Sequence, residues 1–170
     1  MTDRVDVKLE GIDGLLALLQ SLPAEMVSKR GGPVAAGLRK GARVIRAQEI
    51  ETLQRLIGES DESTGLLLKS IIVSRGKAPF GGKGERYLVR IKNRTYPGTG
   101  KGSGSRPVTT TQVAFLFEYG TEKQPPRSFI VSSFKARARE AMDVAIKETV
   151  RATERVVKRL ARQTGSGRAL

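Results

Sequence analysis

A chain with neither histidine nor cysteine lacks the commonest general base, the thiolate nucleophile and two of the commonest metal ligands. Any chemistry must then come from Asp, Glu, Lys, Ser or Tyr. Three acids, Glu59, Asp61 and Glu62, stand close enough along the chain to share a divalent cation. They lack the spacing of a calcium loop and sit among small polar residues, so a solvated acidic turn is expected. The glycines invite a phosphate-loop reading. Gly76 and Gly81 have the first interval of Gly-x-x-x-x-Gly-Lys-Ser/Thr, but Gly82 and then Lys83-Gly84 follow, with no hydroxyl in place. Gly100-Lys101 has Thr95 where the earlier glycine is required. Glu118 follows a continuous apolar run and precedes Tyr119; a carboxylate there accepts backbone N–H bonds or pairs with a cation such as Arg127 more readily than it catalyses. No pair of groups is set out for acid–base or nucleophilic work, so the expectation is a protein that is not an enzyme and holds no metal or cofactor.

Composition bounds the rest. A length of 170 residues suits one domain with a core of its own, and 38% hydrophobic with 5% aromatic residues implies a thin aliphatic core. No apolar run approaches the roughly 20 residues of a membrane span, and Met1 to Lys8 has no signal-peptide core. A protein of the cytosol, or of an assembly built there, is expected. The 31 basic and 17 acidic residues give +14, unevenly placed. Arg75, Lys77, Lys83, Arg86, Arg90, Lys92, Arg94, Lys101 and Arg106 stand against the single acid Glu85, which puts +8 of the total in one strand-and-loop region. Such a patch is a solvated hairpin surface, a contact for an acidic neighbouring subunit, or a nucleic-acid contact, and charge alone does not choose among them.

The elements that position these residues follow from periodicity. Val5 to Leu9 alternates like a short edge strand, and Asp13 caps a helix whose apolar face is Leu15, Leu16, Leu18, Leu19 and Leu22, ended by Pro23. After the Gly31-Gly32 break, Pro33 opens a second helix that runs to about Ile57. Gly58 to Gly65 reads as a loop. Leu66 to Val73 becomes increasingly β-branched and is a strand in its second half; Tyr87 to Lys92 is another, with Tyr87, Val89 and Ile91 on one face. Asn93 to Pro107 has four glycines and few apolar anchors, so it is expected to lack fixed shape until a partner orders it. From about Ser133 to Arg162, Ala138, Ala141, Met142, Ala145, Ile146, Thr149, Val150, Thr153, Val156, Val157 and Leu160 form one stripe, capped by Ser132 or Ser133 and facing the core. Thr164 to Leu170 reads as a flexible tail.

Val113 to Phe117 is continuously apolar and reads as a buried strand; Glu118, then Tyr119-Gly120-Thr121, marks a sharp turn, and Gln124 to Phe129 a proline-braced segment that docks the long helix. In order along the chain, Gly11-Ile12-Asp13-Gly14-Leu15, Leu38 to Ala42, Thr64-Gly65-Leu66 to Ile71, Phe117-Glu118-Tyr119-Gly120-Thr121 and Pro125 to Ile130 resemble the gene-10-like tail-component proteins of long-tailed bacteriophages. The similarity covers residues 5 to 160; each motif is weak and the ordered set is fairly specific. Two departures are Ser132, where a proline is usual, and the long Arg94 to Pro107 loop.

That resemblance implies an α+β fold: a small antiparallel sheet packed against a long C-terminal helix, with two N-terminal helices and a long flexible basic loop near 93–108. Residues 1–163 form a single domain and 164–170 a tail. It also implies a structural role in tail completion or head–tail joining. The expected assembly is a homohexameric ring at the head-proximal end of the tail tube, with DNA passing through its centre. The implied partners are further copies of the chain, the tail tube protein, the head–tail connector and, non-specifically, genome DNA, with no membrane. Cyclic assemblies use heterologous patches, to which a chain rich in both signs of charge can contribute. The expected docking positions are Arg94, Tyr96, Lys101 and Arg106 in the basic loop, then Glu118, Tyr119, Gly120, Thr121, Pro126, Arg127 and Phe129. The rival expectation is a basic nucleic-acid-binding module, which shares the charge but has only Tyr87, Tyr96 and Tyr119 as tyrosines and no tryptophan for base stacking.

Overall fold

Pro33 opens a helix, as its fixed φ favours, in the computed structural model, which describes residues 32–58, 65–77, 84–100 and 106–166. This helix, α1, spans Pro33–Ile57 and closes at Gly58, whose N–H donates to the Gln54 carbonyl at 3.2 Å. A single turn, α2 (Leu66–Ser70), leads without a break into strand β1 (Ile71–Arg75). The Ser70 hydroxyl closes that turn by donating to the Leu66 carbonyl at 2.6 Å. Strand β2 (Tyr87–Ile91) pairs antiparallel with β1, Ile71 opposite Ile91 and Val73 opposite Val89. Val89 and Ile91 turn to the core while Arg90 is exposed, as alternation requires. The sheet lies against α1, where Arg46 Nε donates to the Ile71 carbonyl at 2.7 Å.

The apolar run expected to be a buried strand is instead helix α3 (Thr110–Tyr119). The cause lies just upstream. Thr109 and Gln112 form a reciprocal capping box, with Thr109 Oγ1 accepting from the Gln112 N–H and Gln112 Oε1 accepting from the Thr109 N–H. Val113, Ala114, Phe117 and Glu118 then face inward and Phe115, Leu116 and Tyr119 outward, a helical period. The loop expected to lack shape is tied at its described ends. Thr95 bridges Thr109, the Tyr96 N–H donates to the Val108 carbonyl at 2.9 Å, and buried Thr110 donates through Oγ1 to the Lys92 carbonyl at 2.8 Å. Residues 101–105 lie outside the described residues. So do the expected strand at Val5 to Leu9, the Leu-rich helix after Asp13 and the acids Glu59, Asp61 and Glu62.

The architecture is α+β: helices, a two-stranded antiparallel sheet and a long C-terminal helix, α4 (Ile130–Ser166). That helix begins three residues before the expected Ser133, and it continues through Thr164 to Ser166, which were expected in the tail. It runs antiparallel along α1. Gly37 meets Ala145 and Thr149, Gly41 meets Ala141, Gln48 meets Arg137, and Thr52 meets Ser133. The small residues of the stripe therefore make their close approach to α1, which carries the sheet on its other side. A Cβ at Gly41 would lie 2.5 Å from the Ala141 carbonyl oxygen, so only glycine lets the two helices come this near. Val150 and Val157, expected in the core, are exposed; Ala141 and Thr149 of the expected stripe are buried, and Ala152 joins them. Glu148, buried beside this seam, bonds Lys40 Nζ at 2.7 Å and Arg155 Nη2 at 2.8 Å, and Lys40 above all holds its carboxyl below the ordinary range. The main core gathers Leu53, Leu67, Ile71, Ala114 and Phe129, where α1, α2, β1, α3 and the start of α4 converge.

Candidate docking surface

Two turns around the α3–α4 junction decide how the surface is presented. Glu118 projects inward from the last turn of α3, and its carboxylate accepts four hydrogen bonds at the start of α4. Oε1 takes the Ser128 hydroxyl at 2.6 Å and the Val131 N–H at 3.1 Å; Oε2 takes the Phe129 and Ile130 N–H groups, each at 2.9 Å. The first turn of a helix has N–H groups without partners and a positive dipole end, so a carboxylate from a neighbouring helix answers both needs. The expected caps do other work: Ser132 donates to the Ser128 carbonyl and Ser133 to Thr52 Oγ1. Burial pushes the Glu118 carboxyl up, but the hydrogen bonds from Ser128, Ile130, Val131 and Phe129 outweigh it and hold the group below its ordinary range. Glu49 on α1 is the reverse case. It is 3% exposed, and burial, with the Glu118 charge nearby, raises it to about 7.

Past Glu118 the chain turns on Gly120, at φ 77°, where a Cβ would lie 2.7 Å from the Gln124 carbonyl oxygen and from the Pro126 nitrogen. Thr121 closes the turn. Its N–H donates to the Gln124 carbonyl at 2.9 Å, and its hydroxyl accepts from the Gln124 N–H at 3.0 Å. Exposed Pro126 braces the return, and the Arg127 N–H donates to the Phe117 carbonyl at 2.7 Å. Arg127 thus binds the junction through its backbone, with no ion pair to Glu118. Phe129 is fully buried at the centre of the core. Of the expected docking residues, Glu118 and Phe129 are used inside the molecule, Gly120 and Thr121 shape the turn, and Tyr119, Pro126 and Arg127 reach the surface.

Tyr119 is 65% exposed and packs against Phe115, 61% exposed, with ring centroids 4.5 Å apart and the planes tilted by 43°. Leu116 is exposed beside them, and Val131 and Phe134 are exposed on the first turns of α4. The sequence placed Phe115 and Leu116 in a buried strand; the Thr109-x-x-Gln112 box was the signal that would have turned them outward. On the other side of α3, Val113 and Phe117 line an apolar groove of about 350 Å³ with Ile57, Tyr96, Pro97 and Val108. Tyr96 therefore belongs to a groove wall rather than to a free loop tip.

The basic residues spread along the hairpin. Lys77, Arg86, Arg90, Lys92 and Arg106 are exposed, Arg75 pairs with Glu85, and Arg94 is half-buried, its N–H donating to Thr110 Oγ1 at 3.0 Å. Lys101 lies outside the described residues. Among the described residues, no group of three or more acids could hold a metal ion, and no helix is long and apolar enough to cross a membrane. No protein-family model, curated protein or solved structure matches the chain.

Proposed function

We propose that this chain is a structural component of a long-tailed bacteriophage virion. In this reading it is a tail-completion or head–tail joining protein that assembles as a homohexameric ring on the head-proximal end of the tail tube. The ordered set of motifs in the sequence supports this reading. The observation that carries it is the role of one of those motifs: Phe117 to Thr121 contains the Glu118 cap, the Gly120 turn and Tyr119 of the outward aromatic pair, so a short stretch builds a hydrogen-bonded junction beside an exposed face. A joining ring needs such preformed faces, because it works by surface matching rather than by chemistry. The ring ends tube growth and offers the filled head a docking face, and DNA leaves through its centre.

Deleting the gene from the phage genome that carries it and imaging the lysate tests the proposal. Filled heads beside separate tails, some of irregular length, are the expected outcome. Normal infectious particles would remove the structural role. A second reading, a nucleic-acid-binding module, is favoured by the exposed cations along β2 and its flanks.

A further inference from the structure

We propose that α3 joins copies of this chain head to tail: the paired Phe115 and Tyr119 rings of one copy enter the apolar groove of the next. The inference rests on the ring reading in expecting self-association, and it names the contact that produces it.

The two halves of the contact lie on opposite faces of one helix. Successive residues turn about 100°, so Phe115 and Tyr119 stand roughly 200° from Val113 and Phe117, which line the groove. A single copy therefore cannot fill its own groove with its own rings. Size agrees. A cavity of about 150 Å³ holds one benzene ring, so a groove of about 350 Å³ has room for two. The two rings are already in contact, which lowers the conformational freedom lost when the pair inserts.

Area and charge favour a second copy as the occupant. Phe115, Leu116 and Tyr119 on α3 are each 49–65% exposed; with aromatic side chains of 150–250 Å², they present roughly 350 Å², a substantial share of the ~800 Å² per side of a standard interface. Chains of charge +14 repel one another over most of their surface. The outward face of α3 offers Thr111, Gln112, Phe115, Leu116 and Tyr119, all uncharged, and the groove wall is uncharged as well. Two copies can meet here without opposing cations. Because knob and groove are different patches, the contact is heterologous. It leaves one free knob and one free groove at the ends, and so builds a ring when the rotation closes.

The experiment uses the full chain. Phe115→Asp removes the knob and leaves the groove; Val108→Asp blocks the groove and leaves the knob, and both positions are exposed. In sedimentation velocity each variant alone is expected to self-associate at least about 10-fold more weakly than the parent chain. A 1:1 mixture is expected to form dimers and stop there, since one intact knob and one intact groove remain. The chain has no cysteine, so introduced pairs are unambiguous. Oxidised Tyr119→Cys/Val108→Cys protein is expected to give a ladder of linked species, and each single-cysteine variant only monomer. Undiminished association of both variants, a mixture that stays monomeric, self-linking of Tyr119→Cys alone, or a parent chain that never associates would each overturn the contact. Failure of the two proposals is separable. Variants that associate normally, beside a gene deletion that leaves heads and tails apart, remove only this contact; knob-and-groove association in a phage that assembles without the gene removes only the structural role.

Discussion

Glu118 holds four donors at the start of α4, and Glu118→Gln removes its charge while keeping its shape. Charge-assisted bonds exceed neutral ones, so the variant should lose about 2 kcal/mol in urea denaturation at pH 7, and Glu118→Ala more, because three backbone N–H groups, that of Phe129 buried, lose their acceptor. The two buried carboxyls oppose each other in pH. Glu118 is depressed when folded, so its contribution is present above the unfolded value near 4.5 and is lost as pH falls through the folded value. Glu49 is raised to about 7, so folding favours its protonated form. The penalty for ionising it is absent below about 4.5, grows between there and 7, and is complete above 7. Stability should therefore peak near pH 4.5 and decline from there to about pH 7. Glu49→Gln should gain about 2 kcal/mol over the parent chain at pH 8 and nothing at pH 4.5, a difference that denaturation at the two values reads directly. Gly120→Ala should cost about 3 kcal/mol by the same measurement, since its φ of 77° and the nearby Gln124 and Pro126 atoms leave no place for a methyl.

At the scale of elements, α1 and α4 depend on an approach that side chains would block. Alanine is a better helix former than glycine by about 1 kcal/mol, yet Gly41→Ala should destabilise by about 2 kcal/mol in thermal unfolding, because the methyl meets the Ala141 carbonyl. A variant as stable as the parent would mean that the helices can slide apart without cost. The boundaries that the sequence revealed are those set by local chemistry. Pro33 opens α1 and Gly58 closes it, and the β-branched Ile71-Ile72-Val73 starts a strand after an aliphatic turn. The strand expected at Val113 to Phe117 failed because a continuous apolar run has no period to read. Burial separated its residues into two faces only once α3 had packed beside α2 and β2. The start of α4 was misplaced for a related reason: its cap comes from Glu118, eleven residues before Phe129, and not from the serines beside it.

For the whole molecule, charge and shape make separable demands on partners. If the hairpin cations touch DNA, replacing Arg86, Arg90 and Lys92 together by alanine should lower the log–log salt slope of binding by about 2–3, close to one unit for each phosphate left unneutralised. An unchanged slope would leave those cations to protein neighbours or solvent. The α+β class came from the resemblance, whereas the extent of α1, the strands near Ile71 and Tyr87 and the long amphipathic helix were legible in the residues alone, because propensity, capping and hydrophobic period act within a few residues. So was the importance of the Phe117 to Thr121 junction. Four features waited on the packed molecule: the acid that caps α4, the apolar residues of α3 that face solvent, the meeting of the α4 stripe with glycines of α1, and the tying of the basic loop's base into a groove wall. Three of these depend on a contact between residues far apart in the chain, whose position no local propensity contains; the outward face of α3 had a local sign in the Thr109–Gln112 box, which the continuous apolar run masked.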